Sequence, residues 1–191
     1  MSDEAAVDRA FADTLAAFGR VDACFANAGV PGRSGVASFM EMTADEWRRV
    51  LAVNLDGAFF TLRAAARHMT RRDGGGSLVV MASLAAISGQ ARGEHYAASK
   101  GGVISMMKAL AVELARYGVR ANAILPGWID TAMTETVLRW DKFAEKVLPR
   151  VPARRWGLPS DFGGIAVYLA SDASAYHSGD TFIIDGGYAI F

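Results

Sequence analysis

Ser77-Leu78-Val79-Val80-Met81-Ala82-Ser83 is an apolar run closed by a serine, and Tyr96-Ala97-Ala98-Ser99-Lys100 follows it after a loop containing Gly89 and Gly93. A run this short and this apolar reads as a strand buried on both faces. From Tyr96 the spacing becomes helical, continues to about residue 117 and stops at Gly118. Residues 119–125 are again an apolar strand, stopped by Pro126-Gly127. Strand, helix and strand at this spacing form a crossover unit, and a crossover joins parallel strands.

The same alternation extends in both directions. Residues 3–18 carry Val7, Phe11, Leu15 and Phe18 at helical spacing and stop at Gly19. Residues 21–26 read as a strand ending in Asn27-Ala28-Gly29, followed by a loop over 30–38 with Pro31, Gly32 and Gly35. Thr43 opens a long helix, with Glu46 at the capping-box position, that runs to about residue 72 and ends at Asp73-Gly74-Gly75-Gly76. Beyond Gly127 comes an excursion over 128–156, helical around 132–148. A helix from Pro159 to about residue 170 and a strand over 181–184 follow, before Asp185-Gly186-Gly187. The pattern predicts an α/β fold: one doubly wound parallel sheet with helices on both faces, in a single domain over residues 1–191.

Composition narrows the function classes. Of 191 residues, 52% are hydrophobic and 21% charged, within the range of a globular enzyme. Lys plus Arg and Asp plus Glu number 20 each, so no net positive charge is available for nucleic acid. No apolar run approaches the roughly 18 residues of a membrane span. The acidic opening Met1-Ser2-Asp3-Glu4 is unlike a signal peptide. The single Cys24 cannot form an internal disulfide; it is expected as a buried core thiol in a reducing, cytoplasmic setting. Three scattered histidines and one cysteine offer no metal-ligand cluster.

The chemistry concentrates on three residues. Tyr96 and Lys100 are four apart and share a helix face, and Ser83 lies thirteen residues before the tyrosine. A phenol has a pKa of about 10, and a neighbouring cation favours its ionised form. The plain alternative is a surface tyrosine beside a solvated lysine. With Ala97-Ala98-Ser99 and Gly101-Gly102, however, the constellation resembles the active site of the short-chain dehydrogenase/reductase family.

That resemblance implies a Rossmann-like fold and interconversion of a small-molecule alcohol and carbonyl with NAD or NADP. Tyr96 would be the general base, or the general acid for carbonyl reduction. Lys100 would lower the tyrosine pKa and hold the nicotinamide ribose. Ser83 would hydrogen-bond the substrate oxygen. Asn54, in Val53-Asn54-Leu55-Asp56-Gly57, matches the family asparagine that kinks the long helix and positions a water behind the lysine. Asn27, Ala28 and Gly29 match a turn passing the adenosine side of the cofactor. Pro126, Gly127, Ile129 and Thr131 match the stretch that cups the nicotinamide: the Ile129 backbone meets the carboxamide, and the Thr131 hydroxyl reaches the carboxamide or the phosphates. Arg120, Asn122 and Asp185-Gly186-Gly187 match structural positions. Trp128, Met133, Val137 and Trp140 read equally as a substrate pocket or as the apolar face of a lid helix. Arg92, between Ser83 and Tyr96, reads as a solvated side chain, with contact to an acidic substrate group as the alternative. The long helix and the helix after Tyr96 match a pair that makes a four-helix contact in family homodimers and homotetramers.

The chain departs from the pattern at its front. Family members run to about 250 residues, and residues 1–191 contain no Gly-x-x-x-Gly-x-Gly turn. The expectation is a domain incomplete at the N-terminus, with residues 21–26 as an exposed apolar edge. Its contacts address both ends of a dinucleotide but leave the pyrophosphate uncradled. This predicts an affinity no better than about millimolar, near 4 kcal/mol. Met1 stands where the family pattern has valine, so it reads as a start assigned inside a longer frame. The rival expectation is a non-catalytic remnant serving interaction or oligomerisation.

Overall fold

A computed structural model describes residues 1–32 and 37–191; the part of the loop expected at 33–36 lies outside the described residues. Four strands form one parallel sheet in the order β1 (Ala23–Ala26), β2 (Gly76–Met81), β3 (Val119–Pro126) and β4 (Thr181–Ile184). Alternation along β2 and β3 splits the core in two. Leu78, Val80, Ala121, Ala123 and Leu125 face one side, where α3 (Gly57–Met69) and α4 (Glu94–Leu114) supply Leu62, Ala65, Met69, Val103 and Met107. Val79 and Ile124 face the other, under Leu169 of α7 (Gly163–Ala170). The first helix, α1 (Glu4–Phe18), lies on α3; Asp3 caps it and Gly19 ends it with a positive φ.

Three boundaries differ from the sequence reading. β1 starts at Ala23 rather than residue 21, because side chains occupy both backbone groups of Val21. Val21 N–H donates to His68 Nε2, and Arg72 donates to Val21 O and Asp22. The long helix is broken: α2 (Ala44–Leu51), capped by Thr43 on the Glu46 amide, passes into a π turn over Ala52–Asp56 before α3. The excursion holds two short helices, α5 (Glu135–Leu138) and α6 (Asp141–Val147), separated at Arg139 and Trp140.

Cys24 is half-buried rather than a core thiol, because β1 lies at the end of the sheet; burial still pushes its pKa up to about 11. Arg120 and Asn122 are structural. Arg120 donates to Ser174 Oγ and the carbonyls of Leu169 and Ser171, while Asn122 bridges His177 O and Asp180 N–H. Among the described residues no helix is long and apolar enough to cross a membrane.

Candidate active site

Parallel register brings the carboxyl ends of β1, β2 and β3 to one edge of the sheet. Ala26 pairs with Val80, Met81 with Ile124, and Pro126 with Ile184. The segments that leave these ends carry Asn27 to Gly29, Ser83, and Gly127 to Thr131, so one crevice gathers them. Asn27 and Ala28 are exposed there, and Gly29 turns inward.

Tyr96 lies in the first turn of α4 and Lys100 one turn on. Lys100 is 5% exposed, and its Nζ donates to Met81 O at 2.7 Å. The same ammonium lies 5.7 Å from the Tyr96 ring centroid. Ser83 caps a short turn by accepting from the Ala85 amide, and its hydroxyl acts on the Tyr96 phenol in the direction that favours ionisation. Burial raises the Tyr96 pKa, opposed only in part by Ser83. Burial lowers Lys100 to about 8. Burial is thus the largest influence on the phenol in this structure. In this protein desolvation dominates both groups, and near neutral pH the pair is a neutral phenol beside an ammonium.

Asn54 sits in the π turn, 1% exposed. Its Oδ1 accepts from Val30 N–H at 2.8 Å, and its Nδ2 donates to Val30 O at 3.0 Å and to Ser99 Oγ at 3.4 Å. Those bonds use both amide protons within the chain, so Asn54 fastens the turn after β1 to the helices. Gly29 passes so close that a Cβ would lie 3.2 Å from Asn54 Oδ1 and 3.5 Å from Lys100 Nζ. At Gly32 a Cβ would stand 2.5 Å from Tyr96 Cβ, so only glycine lets this loop cross the tyrosine. Beside it His95 is fully buried, with Nε2 3.5 Å from Glu46 Oε1.

The stretch after β3 is held by its own bonds. Gly127 lies so near Asp185 that a Cβ would come within 2.6 Å of its Cβ. Ile129 bridges to Gly157, and its carbonyl accepts the Thr134 hydroxyl. Thr131 is exposed, with its Oγ1 3.1 Å from Thr134 Oγ1. Thr134 escaped the sequence reading, although a hydroxyl three residues after Thr131 is a common local cap.

The crevice fits the nicotinamide end of a dinucleotide. Among the described residues Lys100 Nζ hydrogen-bonds Met81 O alone, which leaves two donors of a buried cation available. The ribose hydroxyls are acceptors of that kind.

In front of Ser83 and Tyr96 opens a cavity of about 910 Å³. Trp128, Met133, Val137 and Trp140 all line it, which favours the pocket reading over a lid packed only on itself. Phe143 and Val147 join them from α6; their i, i+4 spacing beyond Trp140 was the available signal. Arg92 is exposed, with positive φ, and its amide donates to Glu94.

Residues 1–189 match the family model described as Enoyl-(Acyl carrier protein) reductase. The chain is 39% identical over 170 residues to the L-rhamnose-1-dehydrogenase of Scheffersomyces stipitis, covering 89% of this chain and 65% of that protein. It is 38% identical over 184 residues to the 2-dehydro-3-deoxy-D-gluconate 5-dehydrogenase of Escherichia coli, covering 96% and 70%. Among solved structures it superimposes on a gluconate 5-dehydrogenase from Burkholderia cenocepacia J2315, in complex with NADP and tartrate. That match has a TM-score of 0.92 at 34% identity and covers 98% of this chain and 72% of that one. The chain thus spans about two thirds of the length of the curated relatives it matches. A match across nearly every residue, on a parallel sheet whose carboxyl edge gathers Ser83, Tyr96 and Lys100, places the chain in the short-chain dehydrogenase/reductase family of oxidoreductases.

Proposed function

We propose that the protein interconverts an alcohol and a carbonyl by hydride transfer with NAD or NADP, using Tyr96, Ser83 and Lys100. The observation that carries this is Tyr96 and Ser83 lining one cavity of about 910 Å³ together, with a buried ammonium beside the tyrosine ring. A nicotinamide bound there supplies or accepts the hydride. Ser83 donates to the substrate oxygen and steadies charge developing on it. Tyr96, neutral at physiological pH, gives that oxygen its proton in the reducing direction. Lys100 holds the ribose hydroxyls and stabilises the phenolate left behind. Gly29, with Asn27 and Ala28, borders the adenosine side. Pro126, Gly127, Ile129 and Thr131 border the nicotinamide. Asn54 positions the turn between them.

The relatives, all dehydrogenases, support this over a non-catalytic remnant. The same reading sets the protein in the cytoplasm, where Cys24 stays reduced. It also makes the protein a homodimer or homotetramer: Phe59, Leu62, Ala66, Met106 and Leu110 line a groove between α3 and α4 suited to a second copy.

The test is carbonyl-dependent oxidation of NADH or NADPH. Tyr96→Phe should lower turnover by about a hundredfold or more while leaving the circular dichroism spectrum unchanged. Turnover near the parent rate in that variant would refute the assignment.

A further inference from the structure

The cavity wall has a distinct chemistry. Among the described residues it carries no Asp, Glu, Lys or Arg side chain. Its body is Leu84, Trp128, Met133, Val137, Trp140 and Phe143. Trp128 meets Phe143 edge-on at 4.9 Å, and Phe143 stacks toward Trp156 at 6.3 Å, so the aromatic surface is continuous. Two wall hydroxyls already spend their protons inside the chain: Ser88 donates to Leu84 O and Thr134 to Ile129 O. Beyond Ser83 and Tyr96, the side-chain donors left to meet an occupant are those of Gln90 and Thr136, the indole N–H groups of Trp128 and Trp140, and the Tyr188 hydroxyl, all uncharged. At the mouth, Trp140 and Met133 hold apolar surface in water, 58% and 46% exposed.

We propose that this cavity takes uncharged, mainly apolar, ring-containing ketones and the matching alcohols, and discriminates against sugar acids. The inference rests on Ser83 and Tyr96 being the reacting pair. Their bonds satisfy one oxygen. A sugar acid brings a carboxylate, which would lose water against a wall with no described cation. A flat ring instead buries apolar area and meets aromatic faces and edges. In reduction the carbonyl carbon gains a hydride from the reduced nicotinamide, and its oxygen gains the Tyr96 proton. The alcohol and the oxidised nicotinamide result. This specificity differs from that named for the gluconate-type relatives.

The nearest test of the opposite case is Arg150, whose guanidinium lies 4.8 Å from the ring centroid of Tyr188, a wall residue. Isothermal titration of the full chain with 1-tetralone and with D-gluconate, in the parent, Trp140→Ala and Arg150→Ala, decides between them. The expected result is a tetralone dissociation constant at least about tenfold below that for gluconate, about 1.4 kcal/mol. Trp140→Ala should weaken tetralone several-fold, and Arg150→Ala should leave it unchanged. Gluconate binding as tightly as tetralone, lost in Arg150→Ala, would overturn the proposal, as would saturable binding of neither ligand. Binding needs no hydride transfer, so the two readings fail separately. Tetralone that binds but is not reduced counts against the catalytic reading, whereas turnover of gluconate with weak tetralone binding counts against this one.

Discussion

The two walls of the cleft are built on opposite terms. On one side Lys100 is tied to β2 and Asn54 to the turn after β1 by side-chain bonds, with Ser83 and Tyr96 beside them. Glycines at 29 and 32 leave no room between the layers. On the other side α5 and α6 have four and seven residues, and between them only Leu138 is fully buried. The first wall fixes atoms that must meet to within a few tenths of an ångström. The second offers shape and apolar area, which can change without disturbing the reacting oxygens.

The largest break in that contrast should come from Lys100→Ala. It removes the bond to Met81 O and the charge behind the phenol, and should cost about a hundredfold in turnover together with weaker NADPH binding. Steady-state kinetics and cofactor titration separate the two effects; a rate loss with unchanged cofactor affinity would reduce Lys100 to an electrostatic role.

A pH series sharpens the same wall. Lys100 titrates near 8 when folded and near 10.5 when unfolded, so between those values the unfolded chain holds more protons. Stability contributed by this group is therefore present above 10.5 and is lost as pH falls to 8. Denaturant unfolding should show the protein gaining stability as pH rises through that window, with at most about 1.4 kcal/mol per pH unit from this residue. Lys100→Met should flatten the rise. Carbonyl reduction should move the other way, falling as pH passes about 8 and the ammonium is lost.

Gly32→Ala tests the crowding. Its Cβ would press on Tyr96 Cβ, and thermal unfolding should report a loss of about 1–3 kcal/mol. The smallest effect belongs to the second wall. Trp140 is exposed enough that Trp140→Ala should change stability by no more than about 0.5 kcal/mol. A loss comparable to that of Gly32→Ala would erase the contrast.

Much of the first wall is legible in the sequence because its signals are local. Tyr96 and Lys100 share a helix face, Ser83 ends a strand, and Pro126-Gly127 stops another. The break at Asn54 is legible only through the family resemblance: Ala52 to Asp56 has ordinary helical composition, and the partner of Asn54, the Val30 backbone, lies 24 residues earlier. The direction of the Tyr96 shift is hidden for a similar reason. Spacing puts a cation beside a phenol, but how much water each loses depends on the loop at Gly29 to Gly32 that covers them. The second wall is legible as apolar and not as a cavity, since the pairing of Trp128 with Phe143 crosses between two elements whose angle no local pattern sets.

The Lys100–Met81 bond has a consequence for how such a site can diversify. Met81 stands two residues before Ser83, and Lys100 one helical turn after Tyr96. A single strut thus sets the spacing between the strand that bears the serine and the helix that bears the tyrosine, much as a tie rod holds two beams whatever spans the gap above. The connection over residues 84–93 is relieved of that duty. It can lengthen, shorten or exchange side chains, Gln90 among them, while the two reacting hydroxyls keep their separation. New substrates become reachable by editing the connection, with the proton chemistry inherited intact.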